Sequence, residues 1–257
     1  MSSGHDQSGE PLRGEALSGG NSNAPVRRGD RVHRLAGPWT PTVHALLRHV
    51  RARGVDWVPE PFGEDGLGRE VLSFLPGDVP AYPMPQEVWS DALMVDAARM
   101  LRAFHDATLD FGTADRIWQR PASAPAEVVC HNDFAPYNFV LDEGRIIGVL
   151  DVDMASPGPR AWDLAYLAYR LVPLTADGND DAPASGVPER RRRLRLLCEA
   201  YGTVAPEVVL RTAPERLLEL ATFSDERAVT LPRLAVHARL YRDDAAWIVE
   251  HRAALLA

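Results

Sequence analysis

The sequence predicts an α+β chain of two lobes, a small antiparallel sheet followed by a larger, mainly helical part. Three observations predict it. Short strand-like runs separated by Gly-Gly-Asn and Gly-Asp turns fill the early part of the chain. Apolar positions recurring every three or four residues dominate the later part. At the junction, two apolar runs joined by Asp142-Glu143-Gly144 read as a β-hairpin. Strands first and helices later is the ordering of an α+β architecture. The expected division is a disordered tail at 1–13, a small lobe at 14–77 and a helical lobe at 78–257.

A chain of 257 residues suits one large domain or two small lobes, and 46% hydrophobic residues suffice for a sizeable core. The formal net charge of −8 argues against a nucleic-acid backbone as the main partner. It is compatible with a cationic small molecule. Cys130 and Cys198 are far apart, lack metal-ligand spacing, and read as reduced, buried side chains. The first ten residues are polar, so no signal peptide is expected, and no apolar run reaches the length of a membrane span. A cytoplasmic protein is the expectation.

The elements follow in order. Residues 1–13 are rich in Ser and Gly without periodicity, hence the disordered tail. Two short strands flank Gly19-Gly20-Asn21-Ser22-Asn23, and Gly29-Asp30 turns the chain into a third strand at 31–35. Residues 40–53 read as a helix that holds no acid. Gly68-Arg69-Glu70-Val71-Leu72-Ser73-Phe74-Leu75-Pro76-Gly77 is an apolar strand running into a turn. Residues 87–109 form a long helix whose stripe of Trp89, Leu93, Ala97, Met100 and Phe104 is core packing. A second buried helix covers 163–172, and 175–188 is a polar, acidic loop. The helix at 189–201 opens with Arg190 to Arg193, expected as a solvated face. Helices at 214–229 and 231–256 complete the chain.

The chemistry-bearing residues lie between Cys130 and Asp163. His131-x-Asp133 is followed by Asn138, and Asp151 stands after the hairpin. An antiparallel hairpin brings its first and last residues side by side, so Asn138 and Asp151 should meet beside the loop carrying Asp133. Three oxygen-bearing groups at one point suit a hard cation that keeps phosphate oxygens among its ligands, as Mg²⁺ does. The plainer reading is that Asp133 caps a turn and Asn138 starts a hairpin, places that such residues favour.

His131-Asn-Asp133-Phe-Ala-Pro-Tyr-Asn138 resembles the His-x-Asp-x-x-x-x-Asn catalytic loop of the aminoglycoside phosphotransferase and choline kinase-like family. Asp151-Val-Asp153 resembles its metal motif, and Pro157-Gly158-Pro159 with Asp163-Leu164-Ala165 the link that follows. The resemblance implies a two-lobed protein-kinase-like fold. It implies that Asp133 accepts the proton of an acceptor hydroxyl, and that Asn138 and Asp151 hold Mg²⁺, with Asp153 a further metal contact. His131 is then a structural buttress, and Asp163 a helix cap or a brace of the loop. Ser18, Gly19, Gly20, Asn21 and Ser22 would form the turn whose backbone N–H groups meet phosphates of ATP or GTP. Arg34 would clamp phosphate, and Ser73, Phe74 and Leu75 would be the hinge that meets the base. The wider pattern pairs that cation with a glutamate from the following helix, which this chain lacks.

The leading reading is a Mg²⁺-dependent phosphotransferase moving the γ-phosphate of ATP or GTP to a hydroxyl of a small molecule, an aminoglycoside-like antibiotic or a metabolite. Asp177, Asp180, Asp181, Asp225 and Glu226 could meet a cationic acceptor, though such charges more often face solvent. The second reading is a non-catalytic nucleotide-binding or immunity protein that keeps the fold. A metal-dependent hydrolase on His131-x-Asp133 would need further His ligands, and none lies close in sequence.

Overall fold

The computed structural model describes residues 14–17, 25–176, 179 and 182–257. The small lobe is one antiparallel sheet built from β1 (Glu15–Ala16), β2 (Val26–Arg28), β3 (Arg31–Leu35), β4 (Pro61–Glu64) and β5 (Arg69–Ser73), in the order β1-β2-β3-β5-β4. The β2–β3 turn places Gly29 at φ +63°, a conformation that costs glycine nothing. Strand β4, with a proline at its start and a glycine within, carries no alternating apolar pattern, and the sequence reading did not anticipate it.

Helix α1 (Thr40–Arg51) opens with Pro41 in its first turn, where a missing N–H costs nothing. Its stripe Val43, Leu46, Leu47 and Val50 is buried. These side chains pack with Leu72 of β5 and with Phe104, Val129 and Val152 from the helical lobe, forming the seam between lobes. Burial of each such side chain stabilises by roughly 1.5–3 kcal/mol.

The helix expected over 87–109 is two pieces. A 3-10 turn at Gln86–Trp89 precedes α2 (Asp91–Ala107), because the Ser90 hydroxyl caps the helix by accepting from the Leu93 N–H at 3.2 Å. Trp89 therefore leaves the stripe, and Leu101 rather than Met100 is the fully buried residue in the third turn.

Strand β6 (Val128–Cys130) leads into the loop carrying Asp133. The expected hairpin is present as β7 (Phe139–Asp142) and β8 (Arg145–Val149), closed by Glu143 and Gly144 at φ +46° and +75°. Two central residues with positive φ match the right-handed twist of the strands. Leu141 exchanges both backbone hydrogen bonds with Asp78, tying the segment between lobes to the hairpin. Gly77 is required there, since a Cβ would lie 2.6 Å from the Leu141 carbonyl. Strand β9 (Ser156–Gly158) pairs with β6. Both have only three residues, too few for a sequence pattern to show.

Helices α3 (Arg160–Leu171), α4 (Val187–Tyr201), α5 (Pro206–Ala228) and α6 (Leu234–Leu256) pack with α2 around the larger core. Helix α5 begins eight residues before the expected start, 206 against 214, since Pro214 lies inside it rather than opening it. The arginine run of α4 departs from expectation. Arg190 and Arg193 are only 4% and 7% exposed. Their i, i+3 spacing turns both inward, where Arg190 donates to the Thr175 carbonyl and Arg193 to the Leu171 and Trp89 carbonyls. Leu171 is the last residue of α3, so Arg193 satisfies a carbonyl the helix end leaves unpaired. Arg192 stays on the exposed face. Among the described residues no helix is long and apolar enough to cross a membrane.

Candidate functional site

The hairpin sets the geometry. Phe139 pairs with Val149, and the Leu150 N–H donates to the Asn138 carbonyl at 2.8 Å, which holds the two strand ends together. Asn138 closes a 3-10 turn before β7, and Asp151 leaves β8 in a left-handed conformation at φ +60°. Such a conformation is uncommon outside glycine and costs on the order of 1–3 kcal/mol, but aspartate tolerates it better than most residues. It lets the chain turn at once into a 3-10 turn that carries Asp153.

Asp133 is half-buried at the end of the loop from β6. The Tyr137 hydroxyl donates to its Oδ1 at 2.5 Å, and Asn138 Nδ2 donates to its Oδ2 and its carbonyl, each at 2.9 Å. Burial pushes the Asp133 carboxyl above its ordinary value and Asp151 repels its charge, while the Tyr137 and Asn138 donors pull the other way.

Arg34 on β3 lies among three carboxylates. Its Nε donates to Glu70 at 2.7 Å, Nη1 to Asp151 at 3.0 Å, and Nη2 to Asp153. Burial disfavours the guanidinium, but Asp153, Glu70 and Asp151 outweigh it and hold Arg34 more basic than usual. Asp153 is pushed up to about 6, chiefly by burial, with repulsion from Asp151 and Glu70 set against attraction to Arg34.

Glu70 supplies the acid that the first helix lacks. It is the direct cross-strand partner of Arg34, 1% exposed, and its second oxygen contacts His44 Nε2 at 2.8 Å. The helix thus contributes a histidine, and the carboxylate comes from β5. Opposed residues on antiparallel strands have Cβ atoms about 4.5–5.5 Å apart. Register alone would have found Glu70, but the sequence does not state register.

His131 is fully buried, its Nε2–H donating to the Leu150 carbonyl at 3.1 Å while its Nδ1 accepts from the Asp133 N–H at 3.3 Å. Asp163 does not cap its own helix, whose N-cap is Pro159. It reaches the loop instead, accepting from the His131 N–H at 2.6 Å and the Asn132 N–H at 2.8 Å, with His105 Nε2 at 3.1 Å. Burial works against the Asp163 carboxylate, but His105, His131 and these donors outweigh it and hold it below the usual range.

Where the hinge is expected, the Ser73 N–H donates to the Glu60 carbonyl and the Phe74 N–H to the Asp30 carbonyl, so both are engaged within the protein. The Leu75 N–H has no backbone partner among the described residues. The glycine-rich turn, Ser18 to Ser22, lies outside the described residues, as do residues 1–13 and Asp177, Asp180 and Asp181. Asp225 pairs with Arg242 at the surface.

Sequence reasoning also passed over a tyrosine relay. The Tyr137 hydroxyl contacts Tyr166 at 2.7 Å, and Arg170 donates to the Tyr166 hydroxyl and to Tyr241. Tyr137 stands one residue before Asn138, inside the loop motif, and was visible there. Tyr166, 29 residues further on, was not.

The sequence model of the phosphotransferase enzyme family (APH) matches residues 109–206. The trifolitoxin immunity protein of Rhizobium leguminosarum bv. trifolii is 31% identical over 260 residues, covering 94% of this chain and 97% of that protein. Among solved structures, a choline/ethanolamine kinase family protein from Mesorhizobium loti superposes with a TM-score of 0.63 at 16% identity, covering 97% of this chain and 94% of the other. Aminoglycoside 2′-phosphotransferase-IIIa in its GDP complex gives 0.57 at 13% identity, covering 90% and 92%. A macrolide 2′-phosphotransferase from Brachybacterium faecium gives 0.53 at 16% identity, covering 88% and 86%. These structural likenesses show the fold, the sheet-plus-helices arrangement of the kinase-like class. The chain belongs to the phosphotransferase enzyme family.

Proposed function

We propose that this protein transfers the γ-phosphate of ATP or GTP to a hydroxyl of a small molecule, in a Mg²⁺-dependent reaction. The observation that carries the reading is the gathering of Asp133, Asn138, Asp151, Asp153 and Arg34 at one end of the hairpin. The donor set fits a hard cation. Asn138 spends its Nδ2 on Asp133, which leaves its Oδ1 for a metal beside the carboxylates of Asp151 and Asp153. When bound, Mg²⁺ neutralises charge on the donor phosphates. Arg34, steadied by Glu70, holds phosphate oxygens with its fork. Asp133 accepts the acceptor's proton at its carboxylate. A carboxylate whose proton affinity is raised by burial is better matched to that task, and Tyr137 keeps Oδ1 in place while Oδ2 stays bound to Asn138. His131 and Asp163 hold the loop backbone.

Nucleotide release from ATP or GTP, measured with Mg²⁺ across a panel of hydroxyl compounds, tests the reading. Turnover with at least one acceptor, lost in Asp133→Asn while Mg²⁺-nucleotide still binds, is the expected result. A second reading is favoured by one observation, the likeness to a protein named for immunity. A non-catalytic binding protein would bind nucleotide and protect a host equally well with and without the Asp133 carboxylate.

A further inference from the structure

A row of guanidiniums runs outward from the loop that carries Asp133. Arg216 of α5 is 1% exposed and donates from Nη2 to the Asn132 carbonyl at 2.6 Å, one residue before Asp133. Its guanidinium lies 5.4 Å from the Trp162 ring and 5.2 Å from that of Tyr166, the tyrosine whose hydroxyl meets Tyr137. One turn along α5, Glu219 pairs with both Arg216 and Arg120. One further turn on, Phe223 has Arg120 at 4.1 Å and Arg227 at 3.6 Å from its ring centre. Positions 216, 219, 223 and 227 share one face of the helix.

The row carries more positive charge than its contacts neutralise. Among the described residues Glu219, 34% exposed, is the carboxylate paired with these arginines, and Glu226 adds attraction at longer range to Arg120 and Arg227. Arg120 is pushed down to about 10, chiefly by burial, with repulsion from Arg216 and Arg227 added. Among the described residues, Arg216 Nε and Arg227 Nη1 are buried atoms without a hydrogen-bond partner. Buried N–H donors are rarely left so, because each forgoes its hydrogen bond to water. A bound oxyanion would offset the repulsion among these guanidiniums and give an acceptor to an orphan donor beside it, and the arginine fork matches carboxylate or phosphate.

We propose that Arg216, Arg120 and Arg227 form an oxyanion subsite of the acceptor site, so that the acceptor is a hydroxyl compound bearing a carboxylate or phosphate group. The proposal rests on the phosphotransferase reading above. Arg216 is the inner, fully buried member beside the loop. Arg227 is half-buried at the rim, where the ligand enters. A polycationic acceptor would face three guanidiniums on this side.

The test has two arms. Inorganic phosphate is titrated by calorimetry into protein saturated with Mg²⁺ and ADP, for the wild type, Arg227→Gln and Arg120→Gln. The rim variant Arg227→Gln guards against misfolding of the more buried one. Phosphate should bind the wild type, and about tenfold or more weaker to each variant, the effect of losing a charge-assisted hydrogen bond, with ADP affinity unchanged. In the second arm, glycerate, serine and glycerol phosphate are compared with kanamycin and choline as acceptors, by ADP release from ATP. The anionic and carboxylate-bearing compounds should turn over, with kcat/KM reduced about tenfold or more in both variants. Phosphate binding that is absent, or equal in wild type and variants, overturns the subsite. Turnover with kanamycin or choline alone also overturns it, and leaves the phosphotransferase reading standing. No turnover with any acceptor, while Mg²⁺ and ATP bind, removes the phosphotransferase reading and the acceptor role together.

Discussion

At Asp133 one carboxylate meets a tyrosine hydroxyl on one oxygen and an asparagine amide on the other. Asparagine at this position is nearly isosteric and keeps the loop, but it cannot readily accept a proton. Asp133→Asn should therefore lower kcat by about 10²–10⁴-fold, with nucleotide affinity little changed. Single-turnover assays beside nucleotide titrations check this. Asp151 and Arg34 separate differently. Asp151→Ala should abolish metal-dependent nucleotide binding, whereas Arg34→Ala should weaken binding and leave its Mg²⁺ dependence in place. Titration calorimetry with and without Mg²⁺ distinguishes them, and equal, small effects would contradict the assignment. Glu70 is buried between Arg34 and His44. Its loss strands a buried guanidinium, so Glu70→Ala should cost about 3 kcal/mol in urea unfolding, the low end for a broken buried pair. Arg34 keeps Asp151 and Asp153, which is why the low end applies.

At the scale of elements, α4 offers an internal control. Arg193 and Arg192 are neighbours and both reach Asp91, yet Arg193 also satisfies the end of α3, whereas the other partner of Arg192 is the exposed Glu189. Arg193→Ala should destabilise by about 1–3 kcal/mol, because it leaves a buried carbonyl unpaired. Arg192→Ala should cost below about 1 kcal/mol, as exposed ion pairs do. Chemical denaturation of the two variants measures the difference. A run of four arginines reads in sequence as one feature. The helix divides it by face, and only packing against α3 decides which members are buried. The hairpin is the opposite case. Its two apolar runs and the Glu143-Gly144 turn were legible because a two-residue turn is a local matter of backbone conformation.

At the scale of the whole molecule, ligand and proton linkage report on the site. Mg²⁺ with ATP or GTP should raise stability by about 2.7 kcal/mol at one hundred times the dissociation constant, and either component alone should do less. Thermal melts unchanged at millimolar nucleotide plus Mg²⁺ would contradict the kinase-like site. The pH dependence has a definite sign at Asp163. Its folded carboxyl lies below its unfolded value, so the unfolded chain binds more protons between the two. The stabilisation is present above the unfolded value of about 3.9 and is lost as pH falls through the lower folded value. Asp163→Asn should lower stability at neutral pH and flatten this acid limb, read by urea midpoints between pH 3 and 7 at about one-unit steps.

The sequence by itself determined that strands come first and helices later, the hairpin, and the spacing of Asp133, Asn138, Asp151 and Asp153, but not strands β4, β6 and β9. The features it determined rest on local periodicity, turn chemistry and short intervals along the chain. Tertiary structure alone decided that Glu70 faces Arg34, that Asp163 braces the loop rather than capping its helix, and that Arg216 reaches the Asn132 carbonyl across 84 residues. Strand register and helix docking set these contacts. They are fixed by the burial of whole faces and by the satisfaction of buried polar groups, which no short window of residues contains.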